Sequence, residues 1–150
     1  MKKYELTAEF IEKWGKKLFR IKALISFGSV EAGELGGYVE KEDNLAQDGD
    51  AWVYGDARVY GDARVCGDAW VYGNAEVCGN ADYLLIGRIG SRFSFTTFFK
   101  NKDKGITVSC GCFLGTIAEF RAKVTDTHGN NKHAKMYNLA ADMAELQILG

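Results

Sequence analysis

The sequence predicts a mainly β protein built around a short parallel β-solenoid, with a separate module at each end. The first observation is a six-residue repeat, in which each glycine is followed by Asp or Asn and then by Ala. The second is an alternation of apolar and polar residues on both sides of the repeat, and the third is helical spacing near the C-terminus. The repeated glycines are Gly49, Gly55, Gly61, Gly67, Gly73 and Gly79. A fixed period this short is typical of stacked short strands and is too short for a helical repeat.

Each hexad provides a short strand and a turn. Alanine stands two positions after each glycine, and in the first five hexads valine stands two positions after the alanine. Residues two apart point to the same side of a strand, so we expect these Ala and Val side chains to face the interior. Glycine tolerates positive φ and Asp or Asn can bond the local backbone, so the Gly-Asp and Gly-Asn pairs are expected at the corners.

The repeat GDAWVYGDARVYGDARVCGDAWVYGNAEVCGNADYL resembles the hexapeptide-repeat, left-handed β-helix family. In that family three hexads form one triangular coil of about 18 residues. The resemblance implies left-handed winding, whereas parallel crossovers are otherwise right-handed. It also implies about three coils over residues 37–90, in which 37–42 and 43–48 are degenerate hexads that complete the first coil.

A coil of this length predicts which side chains lie side by side in neighbouring coils. Trp52 is expected beside Trp70 and Tyr54 beside Tyr72, and these four outward-pointing residues form what we term the aromatic wall. Arg88 is expected to extend the row of tryptophans. The same spacing predicts charged partners on the other two faces, which are Glu40–Arg58–Glu76 and Arg64–Asp82. Opposite charges on adjacent strands favour this register, although each exposed pair contributes less than about 1 kcal/mol.

Residues 1–36 are interpreted as an N-terminal β cap. Apolar residues alternate in part along residues 4–27, and Gly15 with two following lysines suggests a turn, so this segment predicts a β-hairpin. Residues 10–14 fit a short helix equally well, with Thr7 as its N-cap.

Residues 91–150 are predicted to form a C-terminal β-hairpin followed by two helices. Two alternating segments, 92–100 and 105–113, flank a polar turn. The side chains expected on their buried faces are Phe93, Phe95, Ile106, Val108, Cys110 and Cys112. Thr116 and Glu119 have the spacing of a capping box, Gly129 is a natural C-cap, and Asn131 is expected to cap the second helix. The buried side of that helix is expected to carry Ala134, Tyr137, Ala141, Met143 and Leu146 or their neighbours. We expect the two helices to cover the open end of the solenoid, whose strand edges are otherwise unpaired.

Composition limits the classes of function. A net charge of −1 and a pI near 6.1 give no electrostatic reason to expect general nucleic-acid binding. No apolar segment approaches the ~20 residues of a membrane span, and the charged N-terminus does not read as a signal peptide. The four cysteines lack the spacing of a disulfide framework, so free thiols and a cytoplasmic location in a bacterial cell are expected.

The residues for two kinds of catalysis are poorly represented. A hexapeptide acyltransferase uses a histidine base beside the solenoid wall, yet both histidines, His128 and His133, lie near the C-terminal helix turn. A zinc site of the carbonic-anhydrase type requires three histidines. Cys110 and Cys112 together with the two histidines form a weaker candidate for a metal site, since buried cysteine commonly serves as a small apolar residue. We therefore predict no enzymatic activity, no bound metal and no cofactor.

The aromatic wall is the most distinctive surface predicted from the sequence. Its four aromatic side chains would expose more apolar area than a soluble monomer usually tolerates. Either the terminal modules cover it, or it packs against like subunits in a dimer or trimer, or it binds a separate partner or nucleotide base beside Arg88. Subunit packing is the interpretation we adopt.

The chain as a whole resembles small uncharacterised proteins of bacteriophages and prophages. The similarity lies in the segments KKYELT, LFRIKAL, GELGGYVEKEDNL, the GDARVY repeats and CGCFLGTIAEFRAKV. It implies a phage-related accessory role and carries no established chemistry. We therefore predict a non-catalytic binding or scaffolding protein that oligomerises and binds a host factor, such as a defence component, or a small nucleotide. The alternatives are a reduced acyltransferase that uses acetyl-coenzyme A and a structural component of the phage particle.

Overall fold

A computed structural model describes residues 2–150 as a mainly β chain that ends in two helices. The strands are β1 (Tyr4–Lys13), β2 (Lys16–Ala23), β3 (Leu35–Val39), β4 (Trp52–Val53), β5 (Arg58–Val59), β6 (Trp70–Val71), β7 (Glu76–Val77), β8 (Tyr83–Ile89), β9 (Ser94–Lys100), β10 (Ile106–Cys110) and β11 (Phe113–Thr116). The helices are α1 (Ile117–His128) and α2 (Lys132–Leu149). Neither of these helices combines the length and the hydropathy that a membrane-crossing segment needs.

The repeat forms stacked parallel strands with the predicted spacing. Trp52 in β4 lies opposite Trp70 in β6, and Arg58 in β5 lies opposite Glu76 in β7. Both pairs are separated by 18 residues, so three hexads make one coil, as predicted.

The interior of the solenoid consists of the repeated alanines and valines. All of them are 0–1% exposed, and they are Ala51, Ala57, Ala63, Ala69 and Ala75 with Val53, Val59, Val65, Val71 and Val77. The glycines that begin these five hexads have φ between 59° and 72°, a region in which a side chain is strained. The predicted division of each hexad into inward residues and a glycine corner is therefore confirmed.

The sixth hexad ends the repeat. Gly79 has φ of −149°, unlike the five earlier glycines, and a 3₁₀ turn over Asn80–Asp82 follows it. The carboxylate of Asp82 accepts hydrogen bonds from the Cys78 and Gly79 amides, which folds this segment back on itself. Asp82 consequently lies 3.8 Å from Lys100, and the predicted Arg64–Asp82 pair is wrong.

The first coil is two residues longer than the others. Tyr38 lies opposite Arg58 and Leu45 opposite Val65, a separation of 20 residues. The two extra residues lie between Leu45 and Trp52, which are seven positions apart, whereas Val65 and Trp70 in the next coil are five apart. A 3₁₀ turn over Glu42–Asn44 precedes them. Tyr38 therefore occupies the place predicted for Glu40 beside Arg58, and that part of the charged row is wrong.

Asn44 holds the 3₁₀ turn in place. Its side-chain oxygen accepts from the Glu40 and Lys41 amides, and its nitrogen donates to the Ala63 carbonyl at 2.8 Å in the next coil. The carboxylate of Glu40 accepts from the Gly61 amide instead of facing Arg58. One buried amide side chain thus replaces the backbone bonds that a regular hexad would make.

The N-terminal hairpin extends one face of the solenoid. Strands β1 and β2 pair antiparallel from Phe10 to Lys13, so the alternative of a short helix over residues 10–14 is wrong. Trp14 and Gly15 both have positive φ, 52° and 77°, as a two-residue type I′ turn requires. Strand β2 pairs with β3, which gives a five-stranded sheet in the order β1-β2-β3-β5-β7.

The C-terminal strands form a four-stranded antiparallel sheet in the order β11-β10-β9-β8. The predicted hairpin of β9 and β10 is confirmed, whereas β8 leaves the solenoid to join it. Adjacent side chains of β9 face opposite ways, so Phe99 packs into the solenoid core and Phe98 into the helix-side core. The sheet, with the helices on its far face, therefore covers the solenoid end that we expected the helices to cover.

Two expected buried residues of this sheet are exposed. Phe93 is 65% exposed and lies in the turn before β9, with φ of 49°, and Cys112 lies in the tight turn between β10 and β11. Both positions fall outside the strand pairing that would bury them.

The two helices begin where their caps predict. The Glu119 amide donates to the Thr116 hydroxyl at 3.1 Å and the Glu119 carboxylate accepts from the Thr116 amide at 2.9 Å, which is the predicted capping box. Asn131 caps α2 through the Ala134 amide. The residues of α2 that are buried are Ala134, Tyr137, Ala140, Ala141, Ala144 and Ile148. Met143 and Leu146, predicted to be buried, are 51% and 76% exposed because the helix turns its small alanines toward the sheet.

Candidate functional site

The first residue of the aromatic wall is buried by the chain itself. Trp52 has no exposed surface and lies edge-on to the rings of Tyr4 and Phe27, at centroid distances of 6.1 and 5.3 Å. Both covering residues belong to the N-terminal module. Of the three explanations for the wall, coverage by a terminal module therefore describes Trp52, and our expectation that it points outward to a partner is wrong.

The other residues of the wall pack on one another. The rings of Tyr54 and Tyr72 stack at 4.1 Å with an interplanar angle of 4°, and Trp70 lies edge-on to Tyr54 at 6.2 Å. Burial and then the neighbouring Tyr54 raise the pKa of Tyr72 above its usual range, so its hydroxyl stays protonated at neutral pH. All three side chains are half-buried, which leaves only part of each ring accessible.

Arg88 does not extend the row of tryptophans. It lies in β8, with its guanidinium 5.5 Å from the centre of the Phe95 ring. Strand β9 occupies the place next to β6, where the Thr97 hydroxyl accepts from the Trp70 amide at 3.1 Å. The structure therefore brings Tyr54, Trp70 and Tyr72 together and leaves Arg88 outside that group.

A pocket in the C-terminal module is a better-formed site. It has a volume of about 220 Å³ and lies among the β10–β11 turn and helices α1 and α2. Phe113, Phe120 and Val124 form an apolar floor, and Phe120 lies edge-on to Tyr137 at 5.6 Å. We term this cavity the C-terminal pocket.

The charged residues around the C-terminal pocket share one sign. Arg92 and Lys123 line it, together with His128, and no carboxylate does. Within residues 2–150, no carboxylate lies at ion-pairing distance from Arg92 or Lys123. Two unpaired cations beside an apolar floor favour an anionic ligand.

Tyr137 forms the inner wall of the pocket. Burial, followed by the neighbouring Cys110 thiol, raises the pKa of Tyr137 to about 12. Its hydroxyl lies so close to Gly90 that a β-carbon at that position would be 1.9 Å away. The ring of His128 stacks on Tyr137 at 5.8 Å. Tyr137 is thus a fixed and neutral hydrogen-bonding group at physiological pH.

The residues considered for a metal site are only partly together. Cys110, Cys112 and His128 line the pocket, and His133 does not, although its ring lies 5.5 Å from that of His128. The Thr96 hydroxyl donates to the Cys110 thiol at 3.2 Å. Across residues 2–150, no three His, Cys, Asp or Glu side chains converge in a geometry suited to a metal ion.

Comparison with known proteins concerns the repeat. A family model described as the YdcK beta solenoid repeat matches residues 51–67 and 57–73. The chain is a β-solenoid repeat protein. No curated protein matches it. The matched residues of this β-solenoid lie in the stacked hexads and include none that line the C-terminal pocket.

Several pocket residues were not predicted as a site from the sequence. Phe120 and Lys123 lie three residues apart on α1, but Arg92 lies in the turn before β9, and no spacing rule links it to the helix. The available signal was that Cys110 and His128 had no role in the repeat. Their positions near the end of a strand and near the end of a helix give no distance between them until the sheet and helices pack.

Proposed function

We propose that this chain is a non-catalytic binding protein and that the C-terminal pocket is its ligand site. The ligand has a small apolar body, such as one aromatic ring, and an anionic group. One observation carries this proposal, namely that all the charged side chains lining a mostly apolar pocket are basic.

The size and chemistry of the pocket define the ligand further. Its volume of about 220 Å³ is below the ~300–1,000 Å³ of sites for drug-sized ligands, so one ring fits and a whole nucleotide does not. The ring lies on Phe113 and Phe120, while the anionic group meets Arg92 and Lys123 at the exposed mouth. Arginine binds carboxylates and phosphates through two parallel hydrogen bonds, which fixes the orientation of the anion.

Two kinds of molecule share this chemistry. One is an aromatic carboxylate, whose ring and charge are adjacent. The other is a nucleoside monophosphate, whose base enters the pocket while its phosphate stays at the mouth. The second corresponds to the small nucleotide expected from the sequence.

Calorimetric titration with four probes tests the proposal. The probes are benzoate, its neutral analogue benzamide, adenosine monophosphate and inorganic phosphate. We expect benzoate to bind at least about 10-fold more tightly than benzamide, because a charge-assisted hydrogen bond contributes about 1.5–3 kcal/mol. If adenosine monophosphate binds more tightly than benzoate, the ligand is a nucleoside monophosphate and not an aromatic carboxylate.

Matched variants locate the binding. Arg92→Gln and Lys123→Gln are each expected to weaken binding by about 10-fold, while Lys102→Gln, at an exposed lysine outside the pocket, leaves it unchanged. The proposal fails if neither organic anion binds at millimolar concentration. It also fails if inorganic phosphate binds as tightly as both, because the apolar floor then contributes nothing.

We also propose the finer assignments that the family resemblance implies. These are left-handed winding of the solenoid, a phage or prophage source, an accessory role in the bacterial cytoplasm and binding of a host factor. The repeat and the four free thiols support them. An experimental structure tests the winding. Recovery of the chain from purified virions would favour a structural component of the particle instead.

A further inference from the structure

Helix α2 is apolar on two opposite sides. One side packs on the sheet through Ala134, Tyr137, Ala140, Ala141, Ala144 and Ile148. The other carries Met136, Leu139, Met143 and Leu146, which are 39%, 65%, 51% and 76% exposed. We term these four residues the α2 stripe. Their spacing of three, four and three residues is the a/d pattern of a coiled-coil seam.

The rest of residues 2–150 leaves the α2 stripe uncovered. Helix α1 lies along a different flank of α2, where Arg121 donates to the Asn138 side chain at 3.0 Å and to the Asp142 carboxylate at 2.7 Å. The sheet occupies the side opposite the stripe. A helix that is apolar on both sides is normally buried on both sides, so the second side calls for a partner.

We infer that this partner is a second copy of the chain, whose helix α2 packs antiparallel on the first. Along the helix the stripe residues are Met, Leu, Met and Leu. The intervals between them are three, four and three residues from either end. A two-fold axis level with Ala141 places Met136 opposite Leu146 of the partner subunit. It also places Leu139 opposite Met143 of the partner subunit. The surface is therefore self-complementary, as a two-fold dimer interface requires.

The exposed area agrees with a dimer. The stripe and the adjoining Leu149, itself 50% exposed, present on the order of 500 Å² of apolar surface, similar to the largest patch of a typical monomer. Two copies together bury on the order of 1,000 Å² from these side chains alone. Flanking residues bring the total toward the ~1,200–2,000 Å² of stable interfaces.

The charges beside the stripe permit close approach. Asp142 lies near the two-fold axis, where its counterpart in the second copy would repel it. Arg121 already pairs with both Asp142 and Glu145 in the same chain, which neutralises most of this repulsion. The interface uses none of the residues that line the C-terminal pocket, so the dimer and the ligand proposal can fail independently.

Light scattering or sedimentation equilibrium measures the dimer directly. At about 100 µM we expect a mass twice that of the 16.6 kDa chain. Leu139→Glu and Leu146→Glu each place an unpaired charge in the seam and should weaken the dimer at least about 100-fold, which gives the monomer mass. Leu35→Glu is the matched control, because Leu35 is 53% exposed at the start of β3, and its mass should remain that of the dimer. Circular dichroism verifies that each variant is folded.

A charge-swap mixture tests the antiparallel register. Leu139→Glu and Met143→Lys chains are each expected to be monomeric alone. Mixed together, they should recover the dimer, because Glu and Lys then face each other in one layer while the symmetry-related layer keeps its native Leu and Met. A parallel arrangement aligns neither pair, so failure to recover the dimer overturns this register. A monomeric wild type, or a dimer unaffected by the Glu variants, overturns the interface itself.

Discussion

The two ends of the solenoid are closed by different chemistry. At the N-terminal end, Lys3 is 2% exposed, and its ammonium donates to the Ala51 carbonyl at 2.8 Å. It also lies 3.4 Å from the carbonyls of Asp48 and Gly49 and 4.7 Å from the centre of the Phe27 ring. A buried cation thus satisfies the outward carbonyls of the first coil.

The C-terminal end is closed by the Asp82 carboxylate, which accepts from the Cys78 and Gly79 amides, and otherwise by neutral groups. The Thr97 hydroxyl accepts from the Trp70 amide at 3.1 Å, and the Lys102 amide donates to the Asn74 carbonyl at 2.9 Å. The ring of Phe99 fills the core beneath them. Every coil inside the stack pairs with a neighbouring coil, but the outermost coil on each side must find other partners. At the N-terminal end, backbone carbonyls accept hydrogen bonds from a charged donor. At the C-terminal end, the Trp70 backbone amide donates to a hydroxyl.

The largest expected effect separates two tryptophans at the same position of the repeat. Trp52 is fully buried by the N-terminal module, whereas Trp70, opposite it in the next coil, is half-buried. We expect Trp52→Ala to lower the free energy of unfolding by about 3–5 kcal/mol and Trp70→Ala by about half as much. Denaturant unfolding of both variants measures the difference. Equal losses would show that the two modules cover their ends of the solenoid to the same extent.

The second effect compares the polar groups that close each end. Lys3→Met keeps the length of the side chain but leaves the Ala51 carbonyl without its donor, and Thr97→Val leaves the Trp70 amide without its acceptor. We expect a loss of about 1.5–3 kcal/mol for Lys3→Met and about 0.5–1.5 kcal/mol for Thr97→Val, because bonds to charged groups are the stronger. Denaturant midpoints at pH 7 test the order of the two variants. The reverse order would contradict the assignment of Lys3 as the main closing group.

The charge of Lys3 also makes the difference in stability between wild type and Lys3→Met depend on pH. Burial lowers the pKa of Lys3 in the folded chain below its usual 10.5, so the unfolded chain binds the proton more tightly. Wild type should therefore gain stability relative to Lys3→Met as the pH rises from the folded pKa toward 10.5. A constant difference between the two proteins over that range would show that the ammonium is not desolvated.

The regular part of the fold could be predicted from the sequence because each hexad repeats the same buried positions and the same glycine corner. Ala57 and Val59 recur at a fixed period, so their burial follows from the period alone. The two-residue insertion between Leu45 and Trp52 could not be predicted, since its carbonyls at Asp48 and Gly49 face Lys3, which lies outside the repeat. The prediction of which α2 residues face the sheet was partly wrong for a similar reason. Leu146 and Ala144 both suit a helix, and only the close approach of the sheet selects alanine.

The candidate site shows the same limit more strongly. The aromatic wall was predicted from spacing, and the spacing is correct for Trp52 and Trp70, but spacing gives no information about what covers them. Tyr4 and Phe27 come from outside the repeat, as do the residues of the C-terminal pocket. The features of this chain that bear on binding therefore lie where the period ends, and tertiary packing decides them.

The smallest expected effect concerns the turns of the two terminal hairpins. Trp14 in the N-terminal turn and Lys104 in the C-terminal turn have φ of 52° and 64°. Asparagine adopts this left-handed region more readily than other residues with side chains, and Trp14 is 83% exposed, so its replacement removes few contacts. We expect Trp14→Asn and Lys104→Asn each to raise the free energy of unfolding by about 0.5–1 kcal/mol. Lys17→Asn, at an exposed strand position, is the control and should lower it slightly. A gain at Lys104 with a loss at Trp14 would mean that the indole makes a stabilising contact in solution, and the N-terminal hairpin would then be held by its tip as well as by its pairing with β3.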